Sequence, residues 1–238
     1  MPKKLFVIGV GPGSPKYVTD IAKEAVRKSQ YVVGYKYTLS TIEGSIDRRR
    51  QQVLEVTMKS QEEVYQNVYA KMKDGEYCIV PFTGDVNFSE SEVVDRLLEI
   101  FGDDNVQIIP GISSIQVAAA KSRVPTDKAH IVTFHVTGDI EQKKKDLVQA
   151  VKDGKSVILL PRPWPRDLSK HFMQSDIAKF LRENGIDTTK LKAWAFEHLT
   201  TEKETTFRGS VKDLEGKEFS DLSAMVIDQV KRQTYLEF

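Results

Sequence analysis

Two hydrophobic periods alternate along this chain, and that alternation constrains its fold more than any other feature. Short β-branched runs at Lys4 to Val10, Tyr31 to Gly34, Tyr77 to Pro81 and Val106 to Ile109 are separated by segments whose apolar residues recur three or four apart. Strands and helices on that rhythm build an α/β architecture in which helices cover a mainly parallel sheet. The opening is a βαβ unit: after the first run, Thr19 caps a helix with Ile21, Ala22, Ala25 and Val26 on one face, and Tyr31 begins the second strand.

Further along, Val64, Val68 and Met72 line up on one helix, and Val93, Val94, Leu97, Leu98 and Phe101 on another. The polar stretch from Tyr37 to Arg50 reads as a long surface connection before a strand at Val53 to Val56. A small-residue helix, Ser113 to Lys121, with Ala118, Ala119 and Ala120, marks the junction of two halves. Beyond it, strands are expected at Ile131 to Val136, Ser156 to Leu160, Lys192 to Phe196, Thr205 to Phe207 and Ala224 to Asp228. Only two helices, around Leu147 to Val151 and Phe172 to Leu181, separate them, so the second half should form a mixed sheet with hairpins. The chain of 238 residues has room for this: two unlike α/β domains are predicted, residues 1–112 and 113–238.

Charge narrows the function classes. Lys and Arg number 35 against 34 Asp and Glu, and the signs alternate instead of forming a basic face, which argues against nucleic acid as a partner. No apolar run approaches the roughly 18 to 20 residues that span a bilayer, and the amino-terminal residues pass straight into a strand, so no membrane partner and a cytoplasmic location are expected. Cys78 is the only cysteine, which excludes an intrachain disulfide and a cysteine-rich zinc site and suits a reducing compartment. His130, His135, His171 and His198 are scattered, with no metal-ligand spacing and no Ser/His/Asp arrangement, so no metal is expected.

Chemistry is expected at glycine loops. Gly9-Val10-Gly11-Pro12-Gly13-Ser14 stands between the first strand and first helix, where a dinucleotide fold places its pyrophosphate loop. Three details oppose that reading. The third glycine of G-x-G-x-x-G falls at Ser14, Pro12 removes a donor N–H, and the second strand ends at Gly34-Tyr35 without an acid for a ribose. A P-loop is a weaker reading still, because no Gly-Lys-Ser/Thr follows and no Lys is placed to reach a phosphate. A second turn, Gly84-Asp85, ends the strand Tyr77 to Pro81, and Pro110-Gly111-Ile112-Ser113-Ser114 ends the next. Ligands of open α/β sheets bind beyond the carboxyl ends of strands. Three such loops would line one crevice, with Asp85 their sole fixed charge, which suits an amine-bearing or cationic ligand better than a polyphosphate.

In this order, G-x-G-P-G-S, then Gly-Asp, then P-G-I-S-S, the chain resembles the tetrapyrrole methylases. These S-adenosylmethionine enzymes include the corrin-pathway and siroheme-type methyltransferases and diphthine synthase. The runs Val7 to Pro15 with Tyr17-Val18-Thr19, Val32 to Tyr35, Val106 to Ala120 and Glu218 to Leu222 are most similar to the precorrin C5-methyltransferase branch of cobalamin biosynthesis. The resemblance spans essentially the whole chain. It departs at Val86, where the family usually carries the proline of Gly-Asp-Pro, at Asn87-Phe88, and at Pro161 to Arg166.

The resemblance implies two α/β domains with the cofactor in the cleft between them, commonly in a homodimer. It implies S-adenosylmethionine as cofactor, S-adenosylhomocysteine as product, and methyl transfer to C5 of a precorrin-7-type tetrapyrrole, with C15 methylation and decarboxylation left to a separate partner. It carries the cofactor pocket onto Pro12, Gly84, Asp85, Phe88, Ser113 and Ser114, and by strand order onto Leu160, Ala224 and Met225. Gly11 and Gly13 would face the substrate. Because such macrocycles carry many carboxylates, Arg48, Arg49, Arg50, Arg162 and Arg166 are candidate cations. Open alternatives are another ring position, the diphthine branch, a nucleotide-dependent oxidoreductase, or a pocket without chemistry.

Overall fold

A computed structural model of the chain describes residues 2–164, 167 and 170–231. The chain divides into two compact units, Met1–Ser114 and Ile115–Phe238.

The first unit runs β1 (Lys4–Gly9), α1 (Asp20–Lys28), β2 (Tyr31–Gly34), α2 (Lys36–Ile42), β3 (Gln52–Glu55), α3 (Gln61–Lys71), β4 (Tyr77–Phe82), α4 (Ser91–Phe101) and β5 (Val106–Ile109), and ends at the first residue of α5 (Ser114–Ser122). Its five strands stand in the order β3-β2-β4-β1-β5, and every pairing is parallel. Strand side chains alternate between faces, and here both faces are covered. Leu5, Val7, Val33, Cys78 and Val80 pack with Tyr65, Val68 and Met72 on the α3 side and Val94, Leu97 and Phe101 of α4. Ile8, Val32, Ile79 and Ile109 point the other way, against Ala22, Val26, Leu39 and Ile42. Double burial explains why these strands read as unbroken apolar runs.

The stretch Tyr37 to Arg50 departs from expectation. Its first half is α2, with Thr38, Leu39, Thr41 and Ile42 buried. Two threonines stand where an apolar stripe would have signalled a helix. Their hydroxyls lie against carbonyls of the preceding turn, Thr38 Oγ1 on Tyr35 O at 2.9 Å and Thr41 Oγ1 on Tyr37 O at 3.1 Å, which lets them be buried.

The second unit adds β6 (Ala129–Thr133), α6 (Glu141–Lys152), β7 (Ser156–Leu160), α7 (Gln174–Glu183), β8 (Lys192–Glu197), β9 (Thr205–Ser210) and β10 (Ser223–Asp228). The sheet order is β6-β7-β10-β8-β9. β6 and β7 are parallel and the other pairings antiparallel, the mixed sheet that follows when strands succeed each other without helices. Leu147, Val151, Ile177 and Leu181 of α6 and α7 pack on Val157, Leu159, Ala193, Ala195, Met225 and Ile227. Among the described residues, no helix is long and apolar enough to cross a membrane.

Candidate functional site

Sheet order brings the glycine loops together. They follow β4, β1 and β5, three adjacent strands pointing the same way, so all three leave the carboxyl edge side by side. Backbone bonds stitch them: Gly84 N donates to Gly11 O at 2.8 Å, Gly11 N to Gly84 O at 3.2 Å, and Val10 N to Phe82 O at 2.9 Å. Glycine is required by contact as well as by conformation. A Cβ on Gly9 would stand 2.6 Å from both Gly111 N and Gly84 O, and Gly84 itself has φ +73.

Asp85 fastens the third loop. Its Oδ2 accepts from Gly111 N at 2.7 Å and its Oδ1 from Asn87 N at 2.8 Å, while Phe88 N donates to Asp85 O at 3.1 Å. Both carboxylate oxygens therefore hold backbone amides, and their remaining lone pairs leave acceptor capacity at the loop edge. Asp85 is also six residues ahead of α4, so it is not an acid at that helix terminus. Val86, in the place of the family proline, is buried in the α3/α4 core. The rigidity expected from a proline is supplied by that burial and by the turn Asp85 closes.

The first loop is buttressed from below. Thr41 Oγ1 of α2 approaches Gly13 O at 3.4 Å, and a Cβ on Gly11 would meet Tyr17 Cβ at 2.9 Å. Pro12 is buried, Phe88 and Ser114 are half-buried, and Ser113 is buried at the end of the β5 loop. Gly11, Pro12, Gly13, Gly84, Asp85, Phe88, Ser113 and Ser114 thus share one edge of one sheet.

The arginine triplet does not join them. Arg48, Arg49 and Arg50 precede β3, and since the sheet is wholly parallel they occupy its amino edge, opposite the loops. Arg48 is engaged by Glu43 through two bonds of 2.9 Å, and Arg49 pairs with Asp47 at 3.4 Å. Arg50 lines a hollow of about 400 Å³ with Arg27, Lys28, Gln30, Asp47 and Tyr77. The substrate-binding expectation for the triplet is corrected on that ground: triplet residues are spaced from the carboxyl edge by the length of the strands. Arg162 is corrected too. It is 5% exposed, its Nη2 donates to Thr137 O and Gly138 O at 2.9 Å each, and its guanidinium lies over Trp164. Arg166 lies outside the described residues.

In the second unit Leu160 ends β7 and Ala224 is near the start of β10. Met225 pairs with Leu159, so the two residues lie one register step further along neighbouring strands. Met225 belongs to the α6/α7 core, and β10 is paired on both sides. Its side chain therefore has no ligand to face, whereas Ala224 points to the other side of the sheet.

The sequence reading missed one cluster on the first unit's carboxyl edge. Tyr35 follows β2 and donates its hydroxyl to Gln61 Oε1 of α3 at 2.8 Å. Tyr65 of α3 is 1% exposed, and its hydroxyl has no hydrogen-bond partner among the described residues. Glu90, the residue before α4, is half-buried; burial, reinforced by Glu92, pushes its carboxyl up to about 7. Burial also pushes up the phenols of Tyr35 and Tyr65, and Glu90 raises both further while Arg96 opposes it. An acid before a helix looks like a routine terminal charge, so only tertiary structure reveals this cluster.

The loop geometry decides between ligand classes. A pyrophosphate site needs free amides at the loop and at the following helix terminus. Here Val10 N and Gly11 N are spent on Phe82 O and Gly84 O, Pro12 has none, and Tyr17 N is bonded to Ser14 O. α1 starts only at Asp20, capped by Thr19, with an acid in its first turn. The amides of the β1 loop named here are thus taken by neighbouring carbonyls, which disfavours a pyrophosphate at that loop. Among the described residues, no group of three or more His, Cys, Asp or Glu is placed to hold a metal.

Residues 4–215 match the model of the Tetrapyrrole (Corrin/Porphyrin) Methylases, and the chain belongs to that family. Among curated relatives, a probable cobalt-precorrin-7 C(5)-methyltransferase of Methanocaldococcus jannaschii is 31% identical over 226 residues, covering 94% of this chain and 97% of that one. Among solved structures, the methyltransferase CobJ superposes with a TM-score of 0.75 at 17% identity, covering 94% of this chain and 93% of its own. The uroporphyrin-III C-methyl transferase of Thermus thermophilus, solved with S-adenyl homocysteine, gives 0.68 at 16% identity, covering 94% and 91%. The two-unit α/β architecture is that of this fold.

Proposed function

We propose that the protein is an S-adenosylmethionine-dependent C-methyltransferase of cobalamin biosynthesis, acting at C5 of a precorrin-7-type macrocycle. The observation that carries the reading is the stitching of three glycine loops at one sheet edge by Gly11, Gly84, Asp85 and Gly111 in a chain of the tetrapyrrole methylase family. The ring position rests on the full-length likeness to the archaeal relative. In this proposal Pro12, Gly84, Asp85, Phe88, Ser113 and Ser114 hold the cofactor, Leu160 and Ala224 add apolar surface, and Gly11 and Gly13 face the macrocycle. The protein would work as a cytoplasmic homodimer beside a separate C15 methyltransferase and decarboxylase.

S-adenosylmethionine supplies the methyl group as an electrophilic carbon on a sulfonium. Bound between the loops that carry Pro12, Asp85, Phe88, Ser113 and Ser114, it would offer that carbon for in-line transfer to a ring carbon, with the proton lost from the ring system. Such a reaction disperses positive charge, so the chain's task is alignment and exclusion of water. Near-attack positioning supplies on the order of 7 to 11 kcal/mol. Asp85 contributes by fixing the β4 loop to the β5 loop, and Thr41 and Tyr17 by holding the β1 loop. Calorimetry tests the cofactor half of the proposal: S-adenosylhomocysteine should bind and NAD should not. Tight NAD binding without S-adenosylhomocysteine binding would overturn it.

A further inference from the structure

The amino edge of the first sheet, opposite the glycine loops, has a concavity of its own. The end of α1, the turn before β3 and the start of β4 enclose a hollow of about 400 Å³, within the roughly 300–1,000 Å³ of small-molecule sites. Its floor is polar and buried: Gln51 is 7% exposed and Ser29 4%. Gln51 Nε2 donates to Ser29 O at 3.0 Å and to Ser29 Oγ at 2.9 Å, and Gln51 Oε1 accepts from Asp47 N at 2.7 Å. Gln30 Oε1 accepts from Tyr77 N at 2.8 Å, which ties the same floor to β4. Side-chain amides thus join three elements around a preformed hollow.

The rim is cationic. Arg27 and Lys28 come from the last turn of α1, and Arg50 from the turn before β3. Cations at a helix C-terminus complement its dipole, which accounts for Arg27 and Lys28 but not for Arg50. Lys28 is paired with Glu24 at 2.6 Å, and Asp47, the acid of the lining, accepts from Arg49 N at 3.1 Å and Arg49 Nε at 3.4 Å on one oxygen. Among the described residues, the Arg27 and Arg50 side chains make no hydrogen bond and no ion pair, and they act on Glu24 and Asp47 only at longer range. Two guanidiniums with uncommitted donors therefore belong to one hollow and are supplied by different elements. A guanidinium takes a carboxylate or a phosphate through two parallel N–H bonds.

We propose that this hollow binds a small polyanion, a molecule carrying at least two phosphate or carboxylate groups, one for Arg27 and one for Arg50. Asp47 on the rim opposes a lone anion, so occupancy calls for a ligand that engages both guanidiniums at once. The site goes beyond the proposed function and stands whether or not the protein transfers methyl groups.

NMR titration of the full chain with pyrophosphate and with citrate tests this, at about 0.15 M sodium chloride, where the Debye length of about 8 Å screens exposed charges. The site requires saturable shifts of the Arg27 and Arg50 Nε signals and of the Ser29, Gln30 and Gln51 amides, with a Kd below about 1 mM for at least one probe. Saturation by pyrophosphate alone makes the recognised groups phosphates, by citrate alone carboxylates, and by both, either. Arg27 and Arg50 are exposed, so the double variant Arg27→Gln with Arg50→Gln should keep the native amide spectrum and bind roughly tenfold more weakly or worse. Arg48→Gln removes a cation that is paired with Glu43 and lies outside the lining, and it should change the Kd by less than about twofold. Shifts that fail to saturate with either probe, binding unchanged in the double variant, or an equal loss in Arg48→Gln would overturn the site.

Discussion

Single residues carry the fit between the loops. Asp85 uses one carboxylate oxygen for each of two backbone amides, and an Asn has only one acceptor oxygen, so Asp85→Asn must set an amide N–H₂ against Gly111 N or Asn87 N. A loss of about 1.5–3 kcal/mol is expected in urea unfolding, with weaker S-adenosylhomocysteine binding in calorimetry. Unchanged stability would show that the tie is unimportant. Gly9→Ala places a Cβ 2.6 Å from two backbone atoms that have no room to retreat, so about 1–3 kcal/mol or more should be lost. Glu90 makes stability depend on pH. Its folded value of about 7 lies above the ordinary 4.5, so between those values the folded chain holds the proton that the unfolded chain has released. The contribution is complete below about 4.5 and lost as pH rises through about 7. Thermal melts of the native protein should therefore fall relative to Glu90→Gln over that window, and parallel curves would refute the assignment.

At the scale of elements, legibility followed how each signal arises. Strands β1, β2 and β4 were visible because both of their faces are buried, β3 and β5 as short β-branched runs at the sheet edges, and the later mixed sheet because strands there succeed one another without helices. α2 was not visible, since Thr38 and Thr41 fill positions where an apolar residue would have declared the helix, and their burial depends on local hydrogen bonds. The three loops were legible as glycine motifs at strand ends, and the order β4-β1-β5 is what makes them neighbours. Arg48, Arg49 and Arg50 were misplaced because a basic triplet carries no sign of which sheet edge it occupies. In a parallel sheet, whatever precedes β3 lies opposite whatever follows β1. Replacing all three by Ala should leave the KM for the tetrapyrrole substrate unchanged within about twofold. Stability should hardly change, as the exposed pairs Arg48–Glu43 and Arg49–Asp47 contribute little. A large rise in that KM would restore them to the substrate site.

For the whole molecule, near balance of charge has a different meaning once the elements are placed. A net charge of +1 offers no field to gather a polyanion, and the triplet that promised a local one stands on the far edge of its sheet. A many-carboxylate ring would then have to meet cations other than the triplet, and methyl transfer would rest on alignment. The direct measurement is methyl transfer from isotopically labelled S-adenosylmethionine across a series of precorrin and cobalt-precorrin intermediates, with the labelled carbon located by NMR. One labelled methyl at C5 of the precorrin-7-type ring is the predicted result. Transfer to a different ring carbon, or to no member of the series, would contradict it.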